Sequence, residues 1–248
     1  MSLYESVLIA AGIAVLAFFS GMLGFGVALA AVPFLSLFLD DLAHQVHPMS
    51  LALGGATALF ALIGFGRAGY VEWRLGWQLA LVAGLASPIG AWLAQRFNPN
   101  LLWVLYFVSV GYLLSRMVHP RFVQKEQTFD ARKATLLVIP IAIYSTLLGV
   151  GVGFLLVPTL IALGLEPKRA AGTNALPVVV QSLTALLYHA PSARIDGGVL
   201  TLATLAGVVG SYYGAQFTSH RLGGNQVRWV FVSMMTVMIL YRAWMLIR

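Results

Sequence analysis

Long apolar runs separated by short polar punctuation dominate the chain. Residues 6–39, 75–95, 97–115, 134–165, 197–219 and 229–241 contain no Asp, Glu, Lys or Arg. Crossing about 30 Å of hydrocarbon takes roughly 20 helical residues, and several of these runs reach that length. A transmembrane β-barrel would show short segments of alternating hydrophobicity instead. The pattern therefore predicts an all-α integral membrane protein.

One unusual phrase interrupts these runs twice, at a spacing of 125 residues. The first copy is Ser20-Gly-Met-Leu-Gly24-Phe25-Gly26-Val-Ala-Leu-Ala-Ala-Val-Pro33-Phe-Leu35. The second is Ser145-Thr-Leu-Leu-Gly149-Val-Gly151-Val-Gly-Phe-Leu-Leu-Val-Pro158-Thr-Leu160. Glycines and a proline at matching places in two apolar halves point to a transporter's binding site. Broken backbone in lipid must line a cavity or be covered by protein, because its freed polar groups find no water.

The repetition extends further. Val71-Glu72-Trp73 faces Ile195-Asp196-Gly197, Gly84 faces Gly207, Gly90-Ala91 faces Gly214-Ala215, and Arg96 faces His220. Two homologous repeats of roughly 4–118 and 134–247 follow. The domain boundaries read as 1–118 (first transmembrane repeat), 119–133 (cytoplasmic linker) and 134–248 (second transmembrane repeat).

Residues 4–39 as a single helix would be about 54 Å long, more than tilt can absorb. Glycine permits a tight turn and weakens a helix, so the chain is expected to fold back at Gly21–Gly26 and again at Gly149–Gly153. Each repeat then begins with a glycine-broken helical hairpin, for 8 to 10 membrane helices in total. With hairpins, eleven of the Lys and Arg residues, including Arg67, Arg74, Lys168, Arg169 and the linker's, lie on one side, and Arg96, Arg194, Arg242 and Arg248 on the other. Eight simple spans with parallel repeats would split them ten against five. Positive charge marks the cytoplasm, so both arrangements place the linker inside. The hairpin arrangement is favoured and makes the two repeats inverted.

Composition narrows the function classes. The chain is 60% hydrophobic and 9% charged, with a mean hydropathy of +0.87. The net charge of +7 is what short basic cytoplasmic loops give a membrane protein, so nucleic acid is not an expected partner. Cysteine is absent, which excludes disulfides and thiolate metal sites. The N-terminus has no basic n-region and carries Glu5, unlike a cleaved signal. No phosphate loop, His-Glu-x-x-His or Gly-x-Ser-x-Gly occurs, so no enzyme and no cofactor are expected. The bacterial inner membrane is the expected location.

The chemistry is expected beside the breaks. In Gly172-Thr173-Asn174-Ala-Leu-Pro177-Val-Val-Val-Gln181-Ser-Leu-Thr184, Thr173 or Asn174 suits an N-cap. Thr173, Pro177, Gln181 and Thr184 share one helical face. The counterpart, His47-Pro48-Met49-Ser50, aligns Ser50 with Asn174 but puts Met49 in place of Thr173. The predicted substrate site is therefore Gly24, Phe25, Gly26, Ser50, Gly149, Gly151, Thr173, Asn174 and Gln181, leaning on the second half. Pro33, Pro158 and Pro177 are expected to fix the breaks. Helix N-termini meeting there would attract an anion, and no Lys or Arg lies deep in an apolar run. Of the five histidines, His189 is the candidate proton relay. His44 and His47 beside Asp40 and Asp41 read as solvated loop residues, and no metal site is predicted. Gly90, Gly207, Gly210 and Gly214 read as close helix contacts.

Together these features resemble the sulfite exporter TauE/SafE family of membrane permeases over about residues 8–245. The resemblance is carried by Gly24-Phe-Gly26 with Pro33, Gly149-Val-Gly151 with Pro158, Gly172-Thr173-Asn174, and the Gly-Ala pairs 90–91 and 214–215. It implies a duplicated helical bundle that exports small sulfur-containing anions such as sulfite or organosulfonates. Some members are linked to sulfonate uptake. The family shows a Gly-Thr-Ser-like motif in both halves, from which Pro48-Met49-Ser50 departs. The expected function is a secondary transporter, an exporter of a sulfur oxyanion, whose partners are that anion and the lipid bilayer. The alternatives are a cation carrier or channel using exposed carbonyls, and a non-transporting membrane scaffold.

Overall fold

A computed structural model describes residues 3–118 and 129–223, together with 225–227, 229–230, 232–233 and 236–237. Most of the predicted linker, residues 119–128, lies outside the described residues. Nine α-helices and no strand occur among the described residues: α1 (Leu3–Gly21), α2 (Ala28–Leu35), α3 (His47–Arg67), α4 (Trp73–Ala94), α5 (Pro99–Val118), α6 (Ala131–Leu147), α7 (Gly153–Ala162), α8 (Pro167–His189) and α9 (Gly197–Arg221). A short π-helical turn, Leu42–Val46, leads into α3.

Among the described residues, five helical segments are long and apolar enough to cross a membrane: Tyr4–Gly21, Leu42–Arg67, Trp73–Ala94, Pro167–His189 and Gly197–Arg221. By contrast α2 and α7, at 8 and 10 residues, extend only about 12–15 Å. Each follows a glycine break. The first break does reverse the chain, because the Phe34 ring occupies the space beside the Gly12 backbone, deep in the preceding helix.

Side-chain caps start several helices. Asp130 accepts from the Lys133 amide at 3.0 Å to open α6, and Asp196 accepts from the Gly198 and Val199 amides to open α9. These contacts satisfy amides that a helix start leaves without an intrahelical partner.

The helices exchange partners between the sequence halves. α1 packs along α9 and α6 along α4, while α3 and α8 lie together at the centre and contact α9 and α4 respectively. Glycines mark where backbones approach. A Cβ on Gly214 would strike the Phe18 carbonyl, and one on Gly90 would strike the Ile143 carbonyl. Gly207 and Gly210 likewise lie against α1. Small residues at such crossings let helices touch through their backbones, as the sequence predicts for these glycines. Gly55 meets Ser182 while Gly172 meets Phe65, so α3 and α8 run antiparallel.

Candidate functional site

Two breaks meet between α3 and α8. Every residue from Ser20 to Pro33 is buried, as is every residue from Ser145 to Phe154. Gly24 and Gly149 adopt φ of 67° and 68°, a left-handed conformation that side chains with a Cβ resist. A Cβ on Gly153 would lie 3.0 Å from Phe25 Cα, and one on Gly151 would lie 3.2 Å from the Phe25 carbonyl oxygen. Phe25, between Gly24 and Gly26, thus meets Gly151 and Gly153, while Gly149 stands against the His47 ring.

The polar residues bind the breaks across the halves. Asn174 Nδ2 donates to the Gly24 carbonyl at 2.8 Å, and Ser50 Oγ donates to the Gly149 carbonyl at 2.8 Å. The amides that open the short helices are held from within each half. Val27 N donates to Thr57 Oγ1 at 2.9 Å, and Val152 N donates to Gln181 Oε1 at 2.5 Å. Gln181 Nε2 also donates to Thr146 Oγ1 at 2.7 Å. Asn174 keeps one atom in reserve: its buried Oδ1 has no hydrogen-bond partner.

Not every predicted residue sits there. Thr173 accepts from the Glu72 amide at 3.0 Å, at the start of α4, beside the Arg169–Glu72 ion pair. His189 ends α8, at the opposite end of that helix. Neither Thr173 nor Asn174 is an N-cap, because α8 begins at Pro167 and carries them as its seventh and eighth residues. Proline at the first helical position is pre-set for that start. The prolines also do not make the breaks. Pro33 and Pro158 lie within α2 and α7, and Pro177 lies within the unbroken α8. Left-handed glycines turn the chain instead, with Gly26 adding a second at φ 64° in the first copy.

Thr57 and Thr146 are contacts that sequence reasoning missed. Thr57 stands 124 residues before Gln181 and performs the same task. The offset was the available signal, but a hydroxyl and an amide do not look alike in a motif.

This crossing of two glycine breaks agrees with a family-level match. The sulfite exporter TauE/SafE family matches residues 8–242. The chain belongs to that family. TauE/SafE membership makes it a membrane transporter by class. It is 26% identical over 237 residues to a "Probable membrane transporter protein" of Xylella fastidiosa (strain 9a5c), covering 90% of each chain. It is 23% identical over 248 residues to "Probable membrane transporter protein YunE" of Bacillus subtilis (strain 168), covering 88% of this chain and 89% of that one. No solved structure matches.

Proposed function

We propose that this TauE/SafE protein is a secondary transporter that carries a small sulfur-containing oxyanion, such as sulfite or an organosulfonate, outward across the bacterial inner membrane. The observation that carries the reading is the crossing itself. Two short helices begin where two glycine breaks touch, with Asn174 between the Gly24 carbonyl and Gly153. First-turn amides and the positive ends of helix dipoles favour an anion at such a place. Each negative charge moved outward gains about 2.3 kcal/mol per 100 mV of inside-negative potential.

The repeats are inverted in this reading, with domains 1–118 and 134–248 and the 119–133 linker in the cytoplasm. Antiparallel α3 and α8 support that inversion. Alternating access then consists of the exchanged helix pairs rocking about the crossing. The Arg169–Glu72 ion pair at one end of α8 and the His44–Asp41 pair near the other would open alternately.

Reconstitution into liposomes tests the reading. Sulfite flux is expected from the wild type, and its loss, at least tenfold, from the Asn174→Ala, Gly149→Val double variant. Cation flux without flux of any sulfur oxyanion would overturn the substrate class, and unchanged flux in the double variant would overturn the site.

A further inference from the structure

A row of histidines runs toward the second break, and the equivalent corner of the other break has none. His47, at the start of α3, is 1% exposed, and its ring fills the space beside the Gly149 backbone. His189, at the end of α8, is fully buried. Neither of its ring nitrogens has a hydrogen-bond partner, nor does His47 Nδ1. Antiparallel packing of α3 and α8 sets the start of one beside the end of the other, so His47 and His189 lie at the same end of the pair. His44 Nδ1 lies 2.9 Å from Asp41 Oδ2, and the His44 carbonyl accepts the amide of Arg194, just beyond α8. Asp41 and His44 line a surface cavity of about 580 Å³ with Asp40, Gln95 and Phe97.

Adding 124 to His47 gives Ala171, and subtracting 124 from His189 gives Phe65. Those two residues belong to one buried apolar cluster. The Ala171 carbonyl fills the space beside Gly24, and Phe65 Cβ lies 3.0 Å from where a Gly172 Cβ would stand. One corner of the crossing is therefore closed by an apolar pair and the matching corner by two imidazoles. Packing does not require the imidazoles. Leaving their polar atoms buried and unpaired is costly, and such a group calls for a working role.

We propose that His47 binds a proton that travels outward with the anion, and that His47, His189 and His44 form the path by which this proton leaves from the second break to the Asp41 cavity. This rests on the anion-transport reading above. A neutral imidazole takes a proton on one nitrogen and releases one from the other. A proton released from His47 on the outward side thus passes through His189 to His44 and leaves each relay imidazole neutral. The imidazolium at His47 supplies the positive charge that no Lys or Arg brings to the breaks. An anion at the crossing favours that proton, and by reciprocity the proton favours the anion. A dianion leaving with one proton still carries negative charge down the potential.

The ionisable groups facing the path are Asp40 and Asp41 just before the π-turn, His44 on it, Arg194 in the loop after α8, and the two buried imidazoles. Tyr188 stands edge-on to His189 at 6.1 Å between ring centroids. Arg96, at the end of α4, is engaged over the Trp92 ring at 3.6 Å. Residues 145–165, which include the second break and α7, contain no ionisable side chain.

The test uses proteoliposomes with a trapped pH dye, loaded with sulfite, and reads sulfite efflux, sulfite exchange and proton movement together. Sulfite carries protons of its own, so the quantity read is protons moved per sulfite, compared between wild type and variant at the same pH. His189→Phe copies the other corner, and His189→Gln is a second variant of different shape should the first not fold. The expected result is exchange within about threefold of wild type, one proton fewer per sulfite, and a flattened pH profile of efflux. An unchanged proton ratio overturns the path and leaves anion transport standing. Loss of exchange in folded His189 variants also overturns it, since the residue would then serve the anion site. A wild type that moves no sulfite overturns both readings.

Discussion

The two glycine breaks are built to one plan with different parts. Each has its glycine carbonyl held by a side chain of the opposite half and its short-helix amide held by a side chain of its own half. In the first break those groups are Asn174 and Thr57; in the second they are Ser50 and Gln181. The space beside the left-handed glycine is filled by the Ala171 backbone in one copy and by the His47 ring in the other. Bracing is thus duplicated while the chemistry is not. The shared geometry reflects the need to satisfy backbone polar groups away from water. The differing side chains are where the proposed anion and proton roles separate.

The sharpest way to break this comparison is to put a Cβ on each left-handed glycine. The conformation alone costs about 1–2 kcal/mol for a residue with a side chain. At Gly24 the new carbon also meets a carbonyl fixed within α8, whereas at Gly149 it meets an imidazole that is able to turn away. Gly24→Ala is expected to prevent folding or to lower the midpoint of thermal unfolding in detergent much more than Gly149→Ala. Equal losses would mean that the two breaks are filled in the same way.

Removing the cross-braces comes next. Asn174→Ala leaves the Gly24 carbonyl without that donor in a buried place, at an expected cost of about 1–3 kcal/mol. Ser50 Oγ lies 2.8 Å from both the His47 and the Gly149 carbonyl, so its bond to Gly149 is shared. Ser50→Ala is expected to cost about 0.6 kcal/mol, the average for interhelical hydrogen bonds in a membrane protein. Thermal unfolding ranks the two, and sulfite flux should fall at least tenfold in Asn174→Ala and only a few-fold in Ser50→Ala. The reverse order would place the ligand on the first half.

A smaller effect is expected from making the halves alike. Gln181→Thr imitates Thr57 but gives up the bond to Thr146 Oγ1. The shorter side chain is expected to cost about 1 kcal/mol. Hydrogen exchange of the Val152 amide would report the loosened start of α7. Protection unchanged from wild type would show that Gln181 is not the cap.

Much of this organisation was legible because it is periodic. The doubled glycine phrase, the length excess of residues 4–39 and the small residues at Gly90 and Gly214 each follow from a local physical rule. Pro167 marks the start of α8, but the sequence pattern puts the N-cap at the Thr-Asn pair six residues later instead. Three prolines looked like breakers and proved to be helix-borne, since a helix tolerates one lost amide when neighbouring helices cover it. The exchange of contacts was not legible. Asn174 finds Gly24 across 150 residues of chain, and no local pattern announces a partner at that distance. Thr173 fell outside the crossing because helical periodicity gives the face of a residue but not its depth.

The smallest expected effect lies at the mouth of the histidine row, where the halves differ most in charge. Partial burial raises the Asp41 pKa, but hydrogen bonds from the His44 amide and ring outweigh it and hold the carboxyl below its ordinary value of 3.8. A carboxylate with a depressed folded-state pKa contributes stability that is complete above its unfolded pKa. That contribution is lost as the pH falls through the folded value, so it is fully present at neutral pH and fades below about pH 4. The pair is well exposed, with side chains 45% and 36% accessible, so its worth is discounted to a few tenths of a kcal/mol. Asp41→Asn should accordingly lower thermal stability only slightly at pH 7 and leave it level with wild type below pH 4. A variant whose deficit persists undiminished in acid would show that Asp41 supports the π-turn through shape, leaving the carboxylate charge free to serve the proton path.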